Sequence, residues 1–143
     1  MNYYRLARIH DTAIIDTGAK IGANVEIGPH TVIGANVEIG DNTTIGSCAN
    51  IDGWTKIGEH NVIYDGVSIG LPPQHLEYEG EKTYVFIGDN NIIREYVTVH
   101  RGTVDGGGET RIGNNNELQV YSHVAHDCNL GNNITLDNYV NLA

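Results

Sequence analysis

From Ile9 onward an aliphatic residue recurs at every sixth position. Ile9, Ile15 and Ile21 open a run that reaches Ile69 without a miss. The count resumes at Ile87, Ile93 and Val99, and again at Ile112, Leu118, Val124, Leu130, Leu136 and Leu142. A fixed short period is the mark of a solenoid, in which a repeat buries its apolar face only by stacking on its neighbours. Six is not a helical period, and apolar spacing at i, i+3, i+4 and i+7 is absent. Four residues after each aliphatic comes a second position, mostly small or β-branched, as at Ala19, Val25, Thr31, Val37 and Thr43. Two residues separate it from the next aliphatic, so both face the same way along an extended segment. Between each aliphatic and its i+4 partner lie pairs such as Gly22-Ala23, Gly28-Pro29 and Gly40-Asp41, which suit sharp corners. The pattern therefore reads short strand, corner, short strand, corner, with three hexads to a turn.

Two interruptions break the count. Ile69 to Ile87 spans eighteen residues, which equals one whole coil, so Leu71–Phe86 is expected to leave the prism and rejoin it in register. Val99 to Ile112 spans thirteen, read as two hexads plus one residue, with a bulge around Asp105-Gly106-Gly107-Gly108. Excursions of about 71–86 and 103–111 would sit outside the solenoid, where function usually resides.

Composition narrows the classes. One domain suits 143 residues, and the eighteen glycines sit in repeat register with only three prolines beside them. Eight Lys+Arg against eighteen Asp+Glu give a formal charge of −10, which argues against nucleic acid or an anionic membrane as main partner. No apolar run approaches a membrane span, and Met1–Arg8 lacks a signal-peptide core, so no transmembrane segment and a cytoplasmic location are expected. Cys48 and Cys128 stand too far apart along the coils for a disulfide; Cys128 reads as a small inward residue. His10, His30 and His60 read as exposed corner residues. His75, His100, His123 and His126 differ, because each falls at or after an excursion.

Taken together, the hexads, the Ile69-Gly70…Pro73-Gln74 excursion, His100-Arg101-Gly102-Thr103, the Gly106–Gly108 loop and Ala125-His126-Asp127-Cys128 resemble the UDP-N-acetylglucosamine O-acyltransferases, the family that opens lipid A synthesis. The resemblance runs from about residue 9 to the end. It implies an all-β fold, a single-stranded left-handed parallel β-helix of about eight coils with two excursion loops. It implies an enzyme that moves a 3-hydroxyacyl group from acyl carrier protein to the 3-hydroxyl of UDP-N-acetylglucosamine, in the cytoplasm of a Gram-negative-type bacterium. No cofactor and no metal are implied, and the assembly would be a homotrimer. His126 would be the general base, suited by imidazole chemistry, and Asp127 would orient or charge-stabilise it. Neighbours in a strand point to opposite faces, so the two meet only if the pair sits on a corner. His100 and His123 would line the sugar pocket.

Substrate contacts are also implied for Gln74, His75, Leu76 and Glu77 of the first excursion. The family commonly shows Gln-Asp-Leu-Lys there, so His75 and Glu77 depart from it. That departure leaves room for a modified acceptor such as a 3-amino analogue, or for a related N-acyl- or acetyltransferase acting on a nucleotide amino sugar. A zinc hydratase of the γ-carbonic anhydrase type shares the prism and would need three converging histidines. His100, His123 and His126 supply the count, but His123 and His126 are only three apart and the expected His-x4-His pair is missing. A structural or ice-binding solenoid needs neither excursions nor a histidine cluster. The chain stops at Leu142-Ala143 without a polar cap. A longer protein is therefore expected, whose remaining coils and helical domain carry the oxyanion donors and the carrier-docking surface. Residues 1–143 alone are expected to have little acyl transfer activity.

Overall fold

Each aliphatic residue of the repeat rests on its counterpart one coil away. In the computed structural model, which describes residues 8–143, twenty strands run from β1 (Arg8–Ile9) to β20 (Asn141–Leu142) among the described residues. The reading of Met1–Arg8 falls, Arg8 apart, outside them. Every third strand shares a sheet. The first sheet runs from β1 to β19 (Thr135–Leu136), the second from β2 (Ile14–Ile15) to β20, and the third from β3 (Lys20–Ile21) to β18 (Asn129–Leu130). Pairing is parallel throughout. Ile21, Ile39, Ile57, Ile87, Ile112 and Leu130 stand in one column of the third sheet. This is the left-handed parallel β-helix, a triangular prism about 30 Å long at the usual strand spacing.

Its interior holds two stacks per face. Ile51, Ile69, Val99 and Val124 are wholly buried on the second sheet, and burying each contributes roughly 1.5–3 kcal/mol. The second stack turns polar where the first sheet meets the third. There Asn61, Asn91 and Asn116 lie buried. The Asn91 backbone N–H donates to Asn61 Oδ1 at 2.9 Å, and Asn91 Nδ2 donates to the Gly113 carbonyl at 2.9 Å. The Asn116 backbone N–H donates in turn to Asn91 Oδ1 at 2.9 Å. This ladder satisfies the amide groups of the turns, which a dry core would otherwise leave orphaned. Corners place Asn24, Asn42, Asn90, Asn115 and Asn133 at positive φ, a region that asparagine tolerates better than most residues. His10, His30, His60 and Cys48 are exposed at corners, and Cys128 packs partly buried against the core.

The excursions differ from the coil arithmetic. Ile87 pairs with Ile57 on the third sheet, not with Ile69 on the second, so Ile69 to Ile87 is one hexad step with twelve residues inserted. Val99 to Ile112 is likewise one step with seven inserted, since Val99 belongs to the second sheet and Ile112 to the third. Neither loop completes a coil, and the prism therefore holds nearly seven coils instead of eight. The loops are also shorter than the sequence suggests. Leu71 closes β11 (Ser68–Leu71), Tyr84–Phe86 lie in β12 (Tyr84–Ile87), and Glu109–Arg111 lie in β15 (Glu109–Ile112). Parallel pairing of β12 with its neighbours extends the strand into what the hexad count assigns to loop.

Both interior stacks should be felt in urea denaturation. Ile69→Ala is expected to lower stability by about 2–5 kcal/mol through lost burial and a cavity. Asn91→Ala should cost about 1–3 kcal/mol for each group it orphans. Asp105→Ala, on the exposed second loop, should stay within about 0.5 kcal/mol of the parent.

Candidate active site

Both loops leave the prism at the same corner, where the second sheet passes to the third, on successive coils. One coil further, between β17 (His123–Val124) and β18, the same corner carries His126 and Asp127. Asp127 has φ +67°, so the chain turns there and its side chain folds back on its neighbour. The pair meets as a corner allows and a flat strand would not. His126 Nδ1 lies 2.6 Å from Asp127 Oδ2.

The carboxylate is gripped from the second loop. Thr103 donates its backbone N–H to Asp127 Oδ1 and its hydroxyl to Oδ2, each at 2.7 Å. The Asp127 N–H donates to Thr110 Oγ1 at 2.9 Å. Gly106 passes so close to the Asp127 carboxylate that any Cβ there would collide with it. Burial works to raise the Asp127 pKa, but the hydrogen bonds from His126 and Thr103 more than offset it and hold the carboxyl below its usual range. An ionised carboxylate only accepts, so Nδ1 of His126 is the donor, and in the neutral ring Nε2 then keeps its lone pair. His126 retains 28% of its side-chain surface.

Three further histidines gather here. The His75 ring, carried in by the first loop, meets His126 edge-on with centroids 5.6 Å apart. His100 and His123 stand edge-to-face at 4.9 Å, and His123 Nδ1 lies 2.6 Å from Thr98 Oγ1. His100 Nδ1 is buried with no partner, a hydrogen-bonding capacity that a ligand could fill. Burial pushes the His100 pKa down, and the neighbouring charges of His123 and His126 add to this. Burial also lowers that of His123; a hydrogen bond with Thr98 opposes the shift and His126 adds to it. Gln74, Leu76 and Glu77 stand exposed on the same loop. Among the described residues no three His, Cys, Asp or Glu side chains are placed to hold a metal ion. Thr103, Thr98 and Thr110 escaped the sequence reading. Only Thr103 left a trace there, in the His-Arg-Gly-Thr segment.

Residues 7–40 match the family model described as bacterial transferase hexapeptide (six repeats). An acyl-[acyl-carrier-protein]–UDP-N-acetylglucosamine O-acyltransferase of Halorhodospira halophila is 54% identical over 138 residues, covering 96% of this chain and 54% of its own length. One from Thermodesulfovibrio yellowstonii is 48% identical over 94% of this chain and 52% of its own length. Over nearly its whole length the chain is similar to these hexapeptide-repeat O-acyltransferases. The similarity extends to structure. The solved enzyme from Acinetobacter baumannii superposes with a TM-score of 0.92 at 45% identity, covering 93% of this chain and 52% of that one. The chain spans about half the length of the curated relatives it matches.

Titration of this chain should expose the buried histidines. Folded His100 and His123 bind protons less readily than an unfolded imidazole, whose pKa is about 6.5. Their contribution is therefore complete above about pH 6.5 and falls as acid approaches the folded values, because the unfolded chain binds more protons there. Asp127 adds a later loss, as pH falls through its lowered folded pKa. The urea midpoint should drop between pH 7 and pH 5, and a His100→Asn/His123→Asn double variant should lose less over that interval. An equal loss in parent and variant would contradict the assignment.

Proposed function

We propose that the protein transfers a 3-hydroxyacyl group from acyl carrier protein to the 3-hydroxyl of UDP-N-acetylglucosamine, with His126 as general base. The observation that supports it is the His126–Asp127–Thr103 chain of hydrogen bonds, which leaves Nε2 free at a solvent-reaching corner. Nε2 takes the sugar hydroxyl proton as that oxygen attacks the thioester carbonyl. The tetrahedral adduct then collapses, the C–S bond breaks, and the imidazolium returns its proton to the departing thiolate. Asp127 stabilises that imidazolium without itself taking the proton. His100 and His123 supply neutral ring nitrogens for the sugar, and the loop of Gln74, His75, Leu76 and Glu77 closes over it.

The relatives' names supply the substrate pair, acyl carrier protein and UDP-N-acetylglucosamine. A cytoplasmic reaction in a Gram-negative-type bacterium is part of the proposal. Among the described residues no helix is long and apolar enough to cross a membrane. A homotrimer is part of the proposal, because the histidines lie on an open outer corner and a nucleotide sugar needs a more enclosed cleft. Tyr96, Tyr121 and Tyr139 form an exposed stacked ridge, with rings 5.2 and 5.3 Å apart, which suits contact with another copy. His75, standing against His126 where the family commonly has Asp, favours a second reading in which a 3-amino sugar is the acceptor.

In the complete protein, His126→Ala should lower kcat by about 10²–10⁴-fold. KM for the nucleotide sugar should change far less, because proton removal belongs to the transition state. Asp127→Asn should be milder. The same assay run with hydroxyl and amino acceptors ranks the two readings by kcat/KM. Near-normal turnover by the alanine variant would remove His126 as base.

A further inference from the structure

Between the buried Pro73 and Thr83, the loop that brings His75 to His126 has little packing of its own. Leu76 at its tip is fully exposed, and Gln74, Glu77, Glu79 and Gly80 are exposed as well. Its internal hydrogen bonds are local. The His75 N–H donates to the Pro73 carbonyl at 2.9 Å, the Tyr78 N–H to the His75 carbonyl at 3.1 Å, and the Tyr78 hydroxyl to the Glu81 carbonyl at 2.6 Å. Such a segment would open easily if nothing held it to the prism.

Arg101, at the start of the second loop, touches both limbs of the first. Its backbone N–H donates to the Leu71 carbonyl at 3.1 Å, where the first loop departs. Its Nη1 donates to the Gly70 carbonyl at 3.0 Å, and its Nε donates to the Tyr78 hydroxyl at 2.8 Å, on the returning limb. The guanidinium also lies 5.3 Å from the centroid of the Tyr78 ring and 5.4 Å from that of Trp54. Among the described residues its side chain forms no ion pair. A half-buried cation whose partners are two rings, a carbonyl and a phenol is placed as a fastener. Its neighbours in sequence are His100 on one side and, two residues on, Thr103, which grips Asp127.

We propose that Arg101 is a positioning residue that clamps the loop between Leu71 and Tyr84 and thereby sets His75 against His126. The consequence for turnover rests on the acyltransferase reading; the clamp itself does not. Arginine is required because its planar fork reaches Gly70 and Tyr78 together while its face meets the aromatic rings. A lysine ammonium on a flexible stem cannot do all three. With the clamp gone, binding the sugar must also order the loop, and apparent affinity falls by the fraction of molecules already closed.

The test uses Arg101→Ala, Arg101→Lys and Tyr78→Phe in the complete protein. The first readout is the rate of cleavage by a glutamate-specific protease at Glu77, Glu79 and Glu81. The second is the emission of Trp54, the one tryptophan of residues 1–143, with any other tryptophan of the complete protein replaced by phenylalanine. The third is kcat and KM for UDP-N-acetylglucosamine. Both Arg101 variants should be cut at least about tenfold faster than the parent, with altered Trp54 emission. Their KM should rise about tenfold while kcat falls less. Tyr78→Phe keeps the ring and loses the hydroxyl, so it should be cut at an intermediate rate; it carries the test alone if an Arg101 variant does not fold. Unchanged cleavage and emission in these variants would overturn the clamp, even with lost turnover. So would an Arg101→Lys variant that behaves as the parent. If the parent shows no acyl transfer while cleavage and emission respond as expected, the clamp stands and the acyltransferase reading falls.

Discussion

Parallel stacking of one aliphatic side chain per face per coil is the constraint from which the rest follows. A strand of two residues cannot hold a sheet by itself, and its stability comes from continuing the column above and below it. Ile27, Ile33, Ile45, Ile51 and their successors are almost wholly buried because each closes the column for its neighbours. The column also forbids drift, since a one-residue slip would turn every aliphatic side chain outward. Loops can be inserted only at corners, and must return the chain to the height at which it left. Twelve and seven residues are inserted in this chain, and the pairing beyond each loop resumes with the next strand of the third sheet.

Confining both insertions to one corner turns a repetitive scaffold into a site. The corner between the second and third sheets presents, on successive coils, a loop that carries His75, a loop that carries Thr103 and Gly106, and the His126–Asp127 step. None of these segments is adjacent in sequence. Coil spacing brings them within hydrogen-bond reach, and the left-handed conformation of Asp127 converts an alternating strand pattern into a side-by-side pair. Rigid strands set the height of each group while loops supply reach, a division that suits a site whose geometry must be held closely.

How far the sequence could be read follows from this physics. The hexads were legible because each aliphatic position maps onto one place in one column. The excursions were legible as breaks but not as lengths. Eighteen residues satisfy either a whole coil or one step with twelve inserted, and only strand pairing distinguishes them. His126 and Asp127 were identified by resemblance to a family, and the need for a corner followed from side-chain alternation. Thr98 and Thr110 stayed hidden, because their partners lie across coils, 25 and 17 residues on. Arg101 stood in the His-Arg-Gly-Thr segment, but its contacts with Gly70 and Tyr78 were not legible, because the first loop sets them at separations of 31 and 23 residues.

The corner fixes the tautomer of the neutral His126 ring, with the proton on Nδ1 against Asp127 and the lone pair of Nε2 free. Long-range ¹H–¹⁵N correlation spectra of histidine-labelled protein, taken at a pH where the ring is neutral, read this directly. His126 is expected to show a protonated Nδ1 and an unprotonated Nε2, and Thr103→Val is expected to weaken that preference by loosening the carboxylate. A neutral His126 with its proton on Nε2 would contradict the account, because that nitrogen could not then accept a proton from a substrate.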